Sequence, residues 1–372
     1  MRSYQLLQIL LAASSYAARP WLDEPDTGKL LQYGNLTVGG ELPDIEDIIG
    51  LPDFDYVARY YLNNTAYTYY RNGAAGEWSY RNNLEVFHRL RFRPRVMVDI
   101  DNIESTLPTQ ILGFNFSAPF FIAPAARAGF AHPEGEKSII RGAAAGDVLY
   151  IPSDLSTVSK AEIQEARAEG QVMFQQLYID PNNDTQTRAE MKAAEDNGFN
   201  ALVLTVDSPA FGNRHGANRF GVGSATDLPI VPKGSMCWED AVRATEVGVP
   251  AIYLTNHGAR QLDGTPSPLE IALEIYENAP WVFDHTEVWA DGGIRYGSNA
   301  LKLFALGVKV VGLARPFMYA HIYGEQGILR AINILKQELA IDAGNLGVAD
   351  LKQINSSYVD LKNNNLRDWG MR

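Results

Sequence analysis

Residues 119–151 read PFFIAPAARAGFAHPEGEKSIIRGAAAGDVLYI and contain the repeat that decides the fold. The stretch opens with a short apolar run, Pro119–Pro124, continues with a segment of helical period, Glu134–Ala145, and closes with a second apolar run, Val148–Ile151. Short runs rich in β-branched and aromatic residues predict buried strands, whereas a helical period predicts a helix. A strand, a helix and a strand in this order predict two parallel strands joined by a crossover.

The same alternation continues along the chain. Further strands are predicted at Val172–Tyr178, Ala201–Val206, Pro229–Val231, Ala251–Thr255, Val288–Ala290 and Val310–Leu313. Further helices are predicted at Lys160–Glu169, Thr185–Asn197, Cys237–Val247, Pro268–Asn278, Gly297–Leu306 and Gln326–Leu339. Eight parallel strands alternating with helices predict an α/β fold, a (β/α)8 TIM barrel. The alternative is an open doubly wound sheet, which usually shows a Gly-rich fingerprint after its first strand; Ala123-Pro124-Ala125-Ala126 shows none.

The fourth β/α unit departs from this pattern. Between Pro209 and Leu228 the chain is rich in glycine and shows no apolar period, so no crossover helix is predicted there. We expect either an incomplete fourth unit or a sequence that has lost a segment.

Composition excludes several classes of protein. The chain has 372 residues, 46% of them hydrophobic, which is enough to bury a large core and argues against long disorder. Its net charge of −12 argues against binding to nucleic acid, whose phosphates need a basic surface. The single cysteine, Cys237, excludes an intramolecular disulfide framework and a multi-cysteine metal site.

The N-terminus is predicted to be a secretory signal peptide over residues 1–17. Met1-Arg2 is positive, Leu6 to Ala13 is a short apolar run, and Ser15-Tyr16-Ala17 offers a cleavage site. The alternative is an ordinary N-terminal helix. Sequons at Asn35, Asn63, Asn115, Asn183 and Asn355 add modest support for a secreted or lumenal glycoprotein. No later run reaches the roughly eighteen apolar residues of a membrane span.

The remaining chain divides into three predicted parts. Residues 18–52 are polar and punctuated by proline and glycine, which indicates an extended leader. A helical spacing from Asp53 to Tyr70 opens a barrel domain over residues 53–348. Residues 349–372 form a C-terminal tail.

Polar residues stand where the predicted strands end. In a barrel of this kind the active site is built at the C-terminal ends of the strands. The residues at those ends are Gln176 and Tyr178, Thr205 and Asp207 with Arg214 soon after, Lys233, Asn256-His257-Gly258 with Arg260, Asp291-Gly292-Gly293 with Arg295, and Arg315. Several cations and one histidine at one mouth predict a pocket for an anion.

Each of these residues also has a purely structural interpretation. A histidine at a strand end is often part of the packing, and Asp207 and Asp291 are suited to cap the helices that follow them. Arg315-Pro316 is compatible with a surface turn. The order of the set along successive strand ends favours the functional interpretation.

The set resembles a known family. From Asp53 to about Val348 the sequence is similar to the FMN-dependent α-hydroxy-acid oxidases and dehydrogenases, such as glycolate oxidase and the lactate and mandelate dehydrogenases. The stretches that carry the resemblance are YYRNGA (69–74), RFRPRVMVD (91–99), LGFNFSAPFFIAPA (112–125), AHPEGE (131–136), FQQLY (174–178), LTVDSP (204–209), GNRHGANRF (212–220), NHGARQLD (256–263), DGGIR (291–295) and ARP (314–316). NHGARQLD is the most specific of them.

The resemblance implies oxidation of a small-molecule 2-hydroxy acid to the 2-oxo acid, with transfer of a hydride equivalent to FMN. His257 matches the base, Asp207 the carboxylate that orients it, and Tyr178 a tyrosine that hydrogen-bonds the reacting oxygen. Tyr69 and Arg260 match the residues that clamp the substrate carboxylate, and Arg214 matches a second arginine of the substrate site. The resemblance also implies a homo-oligomer.

The same resemblance implies the residues that hold FMN. Lys233 matches the lysine beside N1 and O2 of the flavin ring. Gln176 and Thr205 match groups that bond its polar edge, and Asp291 would reach the ribityl chain. Arg295 and Arg315, at the ends of the last two strands, match the phosphate binders, and Gly293 is a further residue of the cofactor site.

Three departures from the family pattern qualify these expectations. Ala314 replaces the usual glycine before the last arginine, and Pro232 precedes Lys233. Asp154 stands where we expect a pocket-lining tryptophan, which predicts a larger or more polar pocket. Together with the missing fourth helix they leave two alternatives open. One is a catalytically impaired, flavin-binding or flavin-free pseudoenzyme, and the other is a barrel hydrolase or isomerase.

Overall fold

A computed structural model describes residues 29–178, 184–207 and 233–362. The predicted signal peptide, Arg214, Pro232 and the Gly-rich stretch after Pro209 lie outside these residues, so secretion, glycosylation and the missing fourth helix stay predictions. A short helix, α1 (Lys29–Tyr33), precedes a compact unit that starts at Leu36. Within the described ranges, no helix combines the length and apolar character that a membrane crossing requires.

Three helices precede the barrel: α2 (Leu51–Tyr61), α3 (Asn64–Arg71) and α4 (Trp78–Arg89). The helical spacing predicted from Asp53 to Tyr70 is therefore divided between two helices. The division occurs because Asn63 has an extended backbone and its side chain accepts a hydrogen bond from the N–H of Ala66 at 2.9 Å, which starts a new helix. Tyr69 and Tyr70 are buried near the end of α3.

Eight parallel strands form a closed ring. They are β3 (Phe120–Ile122), β4 (Leu149–Tyr150), β5 (Phe174–Leu177), β6 (Ala201–Leu204), β7 (Lys233–Ser235), β8 (Ala251–Leu254), β9 (Glu287–Asp291) and β10 (Val310–Leu313). Each strand pairs with its neighbour in this order, and β10 pairs with β3. Isolated bridges, Tyr150 with Met173 and Thr205 with Lys233, close the two junctions β4–β5 and β6–β7. The predicted TIM barrel is confirmed.

An antiparallel hairpin closes the N-terminal end of the barrel. It consists of β1 (Thr109–Ile111) and β2 (Phe114–Phe116), which the sequence analysis did not predict. The N–H of Leu112 in its turn donates to the carboxylate of Glu287, the first residue of β9. The hairpin side chains Ile111 and Phe116 pack into the barrel core with Phe174 and Trp289, whose rings are stacked. The opposite end of the barrel is left for the site.

Helices surround the ring. They are α5 (Glu136–Ala145), α6 (Lys160–Ala166), α7 (Asp184–Asp196), α8 (Trp238–Glu246), α9 (Pro268–Asn278), α10 (Val282–His285), α11 (Gly297–Ala305), α12 (Arg315–Ala320) and α13 (Gly324–Leu346). Seven of them correspond to the helices predicted from the sequence, while α10 and α12 were missed. The described part of the C-terminal tail contacts the domain, because Val359 forms a bridge with Phe92 and Ser356 accepts a hydrogen bond from Tyr276.

The predicted strand Pro229–Val231 lies outside the described residues. The strand at this place in the ring begins, in its described part, at Lys233. Lys233 therefore does not follow the end of this strand, as the sequence analysis expected. It nevertheless pairs with Tyr253, near the end of β8, so its side chain is at the level of the other strand ends.

Candidate active site

The C-terminal ends of the strands surround a cleft. Predicted site residues that line it are Tyr69, Gln176, Tyr178, Thr205, Lys233, His257, Arg260, Asp291, Gly293, Arg295 and Arg315. Asp207 lies behind His257 and does not line the cleft, and Arg214 lies outside the described residues. The structure thus brings together residues from α3 and six strand ends that are far apart in the sequence.

A strained turn presents His257 to the cleft. His257, Gly258 and Ala259 all have left-handed backbone angles, with φ of 57°, 62° and 61°. Such angles cost free energy for residues other than glycine and persist only where the surroundings impose them. The side chain of Asn256 imposes them here, because it accepts a hydrogen bond from the N–H of Ala259 and exchanges two with the side chain of Asn83 on α4.

His257 is paired with Asp207. Its Nδ1 lies 2.9 Å from Oδ1 of Asp207, and the Asp207 side chain is 1% exposed. Burial of Asp207 disfavours its charge, but Lys233 and His257 outweigh burial and lower the pKa of this carboxyl. An ionised Asp207 accepts a hydrogen bond from the N–H group at Nδ1, which leaves Nε2 of the neutral ring as the nitrogen that accepts a proton.

Gly234 permits this arrangement. Its φ is +126°, and a Cβ at this position would lie 2.4 Å from the Cβ of Asp207. Only glycine lets the strand pass this close behind the carboxylate. The same close approach holds Lys233 and Asp207 beside each other at the junction of β6 and β7.

Lys233 is a buried cation that faces the cleft. Its side chain lies against the ring of Tyr253, and the residue is 4% exposed. Among the described residues, no carboxylate lies within 4 Å of its ammonium and no acceptor hydrogen-bonds it. A buried ammonium is costly unless an acceptor or an anion meets it, so the position fits the electron-rich edge of a planar cofactor.

Asp291 lines the cleft on the far side of Lys233. One carboxylate oxygen accepts a hydrogen bond from the hydroxyl of Tyr253 at 2.6 Å, and the other accepts one from Thr255. Burial raises the pKa of Asp291, and Lys233 with the two hydroxyl donors opposes that shift. Thr255 also accepts the N–H of His257 at 3.0 Å, so one hydroxyl connects the base to this carboxylate.

Gln176 and Thr205 form the wall of the cleft above the two-stranded part of the ring. The amide of Gln176 donates to the Thr205 hydroxyl at 3.0 Å, and its oxygen accepts from Ser153. Both side chains are buried, and their hydrogen bonds hold them in fixed orientations. Their predicted contact with the flavin ring stays a prediction.

Tyr69 and Arg260 lie side by side. The guanidinium carbon of Arg260 is 5.0 Å from the centre of the Tyr69 ring, and Arg260 donates to the carbonyl oxygen of Tyr69 at 3.2 Å. A planar guanidinium beside a tyrosine is suited to hold a carboxylate in one orientation. Tyr178 also lines the cleft, on the end of β5.

The end of the cleft near β9 and β10 is built from small residues. Gly293 has a φ of +82°, and a Cβ there would lie 1.8 Å from the carbonyl oxygen of Asn83. Arg295 and Ala314 line this end. Arg295 supplies a cation at this end of the cleft, and its binding of a phosphate stays a prediction.

Arg315 has a different environment from the one predicted. Its Nε and Nη2 atoms donate to the carbonyl oxygens of Tyr70, Asn72 and Gly258, at 2.8 to 2.9 Å. Burial lowers the pKa of Arg315 to about 10. The side chain therefore ties the end of β10 to α3 and to the His257 turn, in addition to lining the cleft. Phosphate binding by Arg315 stays a prediction.

The expectation for Asp154 is wrong. Its carboxylate accepts a hydrogen bond from Lys160 at 3.1 Å and does not line the cleft. The next residue, Leu155, lines it instead. The loop after β4 turns its apolar side chain inward and its charged one outward, so this wall is less polar than the sequence predicted.

Several residues of the site were missed by the sequence analysis. Asn83, Tyr70 and Thr255 position other residues, and Leu155 and Met318 line the cleft. Asn83 comes from a helix outside the barrel, where no strand-end signal exists. Thr255 was inside a predicted strand end and was detectable as a hydroxyl next to Asn256.

The mouth of this parallel barrel holds a histidine–carboxylate pair, a buried lysine and a guanidinium clamp. These groups are typical of the class of barrel enzymes that bind anionic ligands. The family model of the FMN-dependent dehydrogenases matches residues 58–225 and 221–361, and the chain belongs to this family. Its cofactor is FMN, and the buried ammonium of Lys233 at an open cleft fits such a group.

Relatives of known activity share most of the chain. An L-lactate dehydrogenase (cytochrome) of Wickerhamomyces anomalus is 33% identical over 86% of this chain and 63% of its own length. A peroxisomal (S)-2-hydroxyacid oxidase of Arabidopsis thaliana is 32% identical over 87% of this chain and 99% of its own length. The chain thus spans less than two thirds of the lactate dehydrogenases that it matches.

Solved structures agree with this assignment. The recombinant flavin-binding domain of baker's yeast flavocytochrome b2 has a TM-score of 0.82 and 33% identity, covering 89% of this chain and 90% of that chain. A mandelate oxidase variant with (S)-mandelic acid has a TM-score of 0.76 and 30% identity, covering 84% and 98%.

The comparisons also bear on the fourth β/α unit. The alignment with the Arabidopsis oxidase is 368 positions long. It includes 87% of the 372 residues of this chain, which is clearly fewer residues than the alignment has positions. Several dozen positions of that relative therefore have no counterpart here. The two segments of the family match meet at residues 221–225, within the Gly-rich stretch. This supports the prediction that the sequence has lost a segment after the fourth strand.

Proposed function

We propose that the protein oxidises a 2-hydroxy carboxylic acid to the 2-oxo acid with FMN. The observation that carries the proposal is the 2.9 Å pair of His257 and Asp207, next to a buried lysine that faces the same cleft. When bound, FMN supplies the acceptor for a hydride equivalent. The substrate loses two electrons and two protons in this reaction, so the protein must take one proton itself.

His257 accepts that proton at Nε2, from C2 of the substrate or from its hydroxyl. Asp207 fixes the ring through Nδ1 and stabilises the imidazolium that forms. The buried position of Asp207 makes this stabilisation stronger than it would be in water.

Arg260 and Tyr69 bind the substrate carboxylate and hold C2 close to His257. Fixing the reacting carbon in this way lowers the entropic cost of the reaction step, because the loss of freedom occurs when the substrate binds. Tyr178 is placed to hydrogen-bond the oxygen on C2. Lys233, Gln176, Thr205, Asp291 and Arg295 are the residues that would hold FMN, with Lys233 at the polar edge of the ring.

The proposal is tested by the visible spectrum of the purified full-length protein. We expect a yellow protein whose colour bleaches on anaerobic addition of a 2-hydroxy acid. The variant His257→Gln should stay yellow and bleach about 10²- to 10⁴-fold more slowly, because it loses the base. The control is His285→Gln, at an exposed position outside the site, which should bleach like the wild type. Equal bleaching of both variants would remove His257 from the role of base.

A pseudoenzyme of the same fold is the second candidate. The observation that favours it is the interruption of the family match at residues 221–225, on the segment that follows Asp207. A colourless protein that does not take up added FMN would support this candidate and contradict the proposed oxidation.

A further inference from the structure

Arg127 is a cation that the proposed reaction does not use, and its guanidinium lies beside the ring of Tyr69, a residue that lines the cleft. It follows Ala126, which lines the cleft, in the loop after β3. Its main chain is tied to two other residues of the cleft, because its N–H donates to Leu155 at 3.2 Å and its carbonyl oxygen accepts the hydroxyl of Tyr70 at 2.7 Å. The position of the residue is thus coupled to the walls of the site.

The backbone of Arg127 is strained. Its φ is 60°, in the left-handed region where glycine is favoured over any residue with a Cβ. The buried carboxylate of Glu136 helps to hold this loop, since it accepts the N–H groups of Ala128 and Thr157. An arginine held in such a conformation beside a site suggests a role for its side chain.

The guanidinium of Arg127 has no counterion in the described part of the chain. No carboxylate lies within 4 Å of it, and no acceptor there hydrogen-bonds it. Other half-buried arginines do have carboxylate partners, as Arg71 has Glu77 and Arg330 has Glu46. The guanidinium packs against the rings of Tyr69 and Phe130, and since no acceptor meets it there, it is placed to bind an anionic ligand.

Arg127 and Arg260 flank the same tyrosine. The guanidinium carbon of Arg127 lies 5.3 Å from the centre of the Tyr69 ring, and that of Arg260 lies 5.0 Å from it. The two guanidinium groups are therefore at most about 10 Å apart. A short molecule with a carboxylate at each end can reach both, one carboxylate on each guanidinium.

The ring order places these groups on different sides of the mouth. Leu155 follows β4 and His257 follows β8, and β4 and β8 are opposite each other in a ring of eight strands. For a substrate held at His257 and Arg260 by C2 and its first carboxylate, a side chain that extends toward Leu155 is the one that reaches Arg127. Arg127, tied to Leu155 through its main chain, lies on that side.

We propose that Arg127 binds a second carboxylate at the far end of the substrate, so that the preferred substrates are short 2-hydroxy dicarboxylic acids. This inference rests on the proposed function for the position of the first carboxylate. Tyr69 separates the two guanidinium groups and keeps one carboxylate on each.

The test uses the full-length, FMN-loaded protein and substrates matched in carbon number. Malate is compared with 2-hydroxybutyrate, and 2-hydroxyglutarate with 2-hydroxyvalerate. We expect a higher kcat/KM for the dicarboxylate of each pair. The variant Arg127→Met, which keeps an unbranched side chain at the same backbone angle, should lower kcat/KM for the dicarboxylates about tenfold to a hundredfold through KM, and should change the monocarboxylates little.

The control is Arg330→Met, a half-buried arginine remote from the cleft, which should leave the preference unchanged. An equal loss for both members of a pair in the Arg127 variant would overturn the inference, because it would show a structural effect or general attraction of anions. Absence of any preference in the wild type would overturn it as well.

A binding measurement separates this inference from the proposed function. Calorimetry with 2-oxoglutarate and 2-oxovalerate reports on the two ends of the site without turnover. Tighter binding of 2-oxoglutarate that disappears in Arg127→Met supports the inference, even if no 2-hydroxy acid bleaches the protein. In that case the proposed oxidation fails alone. Equal binding of the two probes overturns the inference, whatever the bleaching experiment shows.

Discussion

The barrel consists of two arcs with unequal support. The larger arc is a six-stranded sheet, β7-β8-β9-β10-β3-β4, and the smaller is the pair β5–β6. Ladders connect the strands within each arc, with a shift of register between β7 and β8. Among the described residues, each of the two junctions between the arcs shows one isolated bridge, between Tyr150 and Met173 and between Thr205 and Lys233.

Two helices over the larger arc bury more residues than those over the smaller arc, whereas α8, which contacts β7 and β8 of the larger arc, buries Ala241 alone among its nine residues. Over the larger arc, α11 buries nearly all of its length, and α9 buries seven of its eleven residues. Over the smaller arc, α6 buries Ile163, and among the described side chains of α7 Ala194 is the buried one. Since burial of apolar surface is the main source of stability, the smaller arc is expected to open locally at a lower free energy.

The site draws on both arcs. His257, Arg260 and the residues at the phosphate end come from the larger arc, whereas Asp207, Tyr178, Gln176 and Thr205 come from the smaller one. The base and the carboxylate that orients it are thus on opposite sides of the β6–β7 junction. The proposed activity depends on a contact between two parts of the barrel that, within the described residues, are connected through their backbones by one bridge at this junction.

The largest effect is expected from Gly234→Ala at this junction. The new Cβ would lie 2.4 Å from the Cβ of Asp207, at a φ of +126°. We expect a loss of about 3 kcal/mol or more in the free energy of unfolding, and bleaching by a 2-hydroxy acid about 10²-fold slower or worse. Urea unfolding and anaerobic bleaching measure the two effects.

Gly248→Ala is the matched control. Gly248 has a φ of +79°, but no heavy atom lies within 4 Å of the position of its Cβ. It should lose about 1 kcal/mol from backbone strain alone and keep its activity. If the two variants behave alike, the contact between Gly234 and Asp207 does not hold the arcs together.

The sequence predicted the larger arc more accurately than its surroundings. The helix Pro268–Asn278 and the strand Val310–Leu313 were predicted at their observed bounds. The start of this helix is determined by neighbouring residues, because Ser267 and Glu270 form a capping box and Pro268 is its first residue. The hairpin β1–β2 and α12 were missed because three-residue strands and a six-residue helix carry too little periodicity.

The site was predictable as far as it lies on strand ends. His257 and Asp207 were found in this way, and Lys233 was found although it stands at the start of the described part of β7; the structure places the three together. Asn83 was not, since its contact with Asn256 spans 173 residues and leaves no local signal. Leu155 points into the cleft and Asp154 does not. This difference depends on the conformation of the loop after β4, which neither residue determines alone.

The greater stability of the larger arc is expected to decrease at acidic pH. His321, at the end of α12, is fully buried, and its Nε2 lies 2.7 Å from the hydroxyl of Ser138 on α5. Burial lowers the pKa of His321 from 6.5 to about 3. Below pH 6.5 the unfolded chain therefore binds a proton that the folded protein does not, so stability falls as the pH falls toward 3.

His321→Gln should remove this dependence. Between pH 7 and pH 5 the wild type is expected to lose roughly 2 kcal/mol more stability than the variant, measured by urea unfolding at each pH. Ser138→Ala removes the hydroxyl but keeps the imidazole, so it should lower stability at every pH and retain the acid dependence. Parallel curves for wild type and His321→Gln would show that other groups cause the acid sensitivity.

The smallest effect concerns the other junction, between β4 and β5. Lys160, the first residue of α6, contacts Asp154 at 3.1 Å and Glu190 of α7 at 2.6 Å. This network connects the loop after β4, in the larger arc, to a helix over the smaller arc. Its side chains are one fifth to two fifths exposed, so water and salt weaken it.

Lys160→Met is therefore expected to lower the free energy of unfolding by about 0.5–1 kcal/mol at low salt and by less at high salt. Lys192→Met is the matched control, because Lys192 contacts Glu195 and Asp196 within α7 itself and connects no other element. A larger loss for Lys160→Met means that ion pairs between elements contribute to closing the barrel where the backbone provides one bridge. An equal loss means that buried side chains, Tyr150 and Met173 among them, hold the β4–β5 junction. The ion pairs on its surface then add no more stability than ion pairs within a single helix.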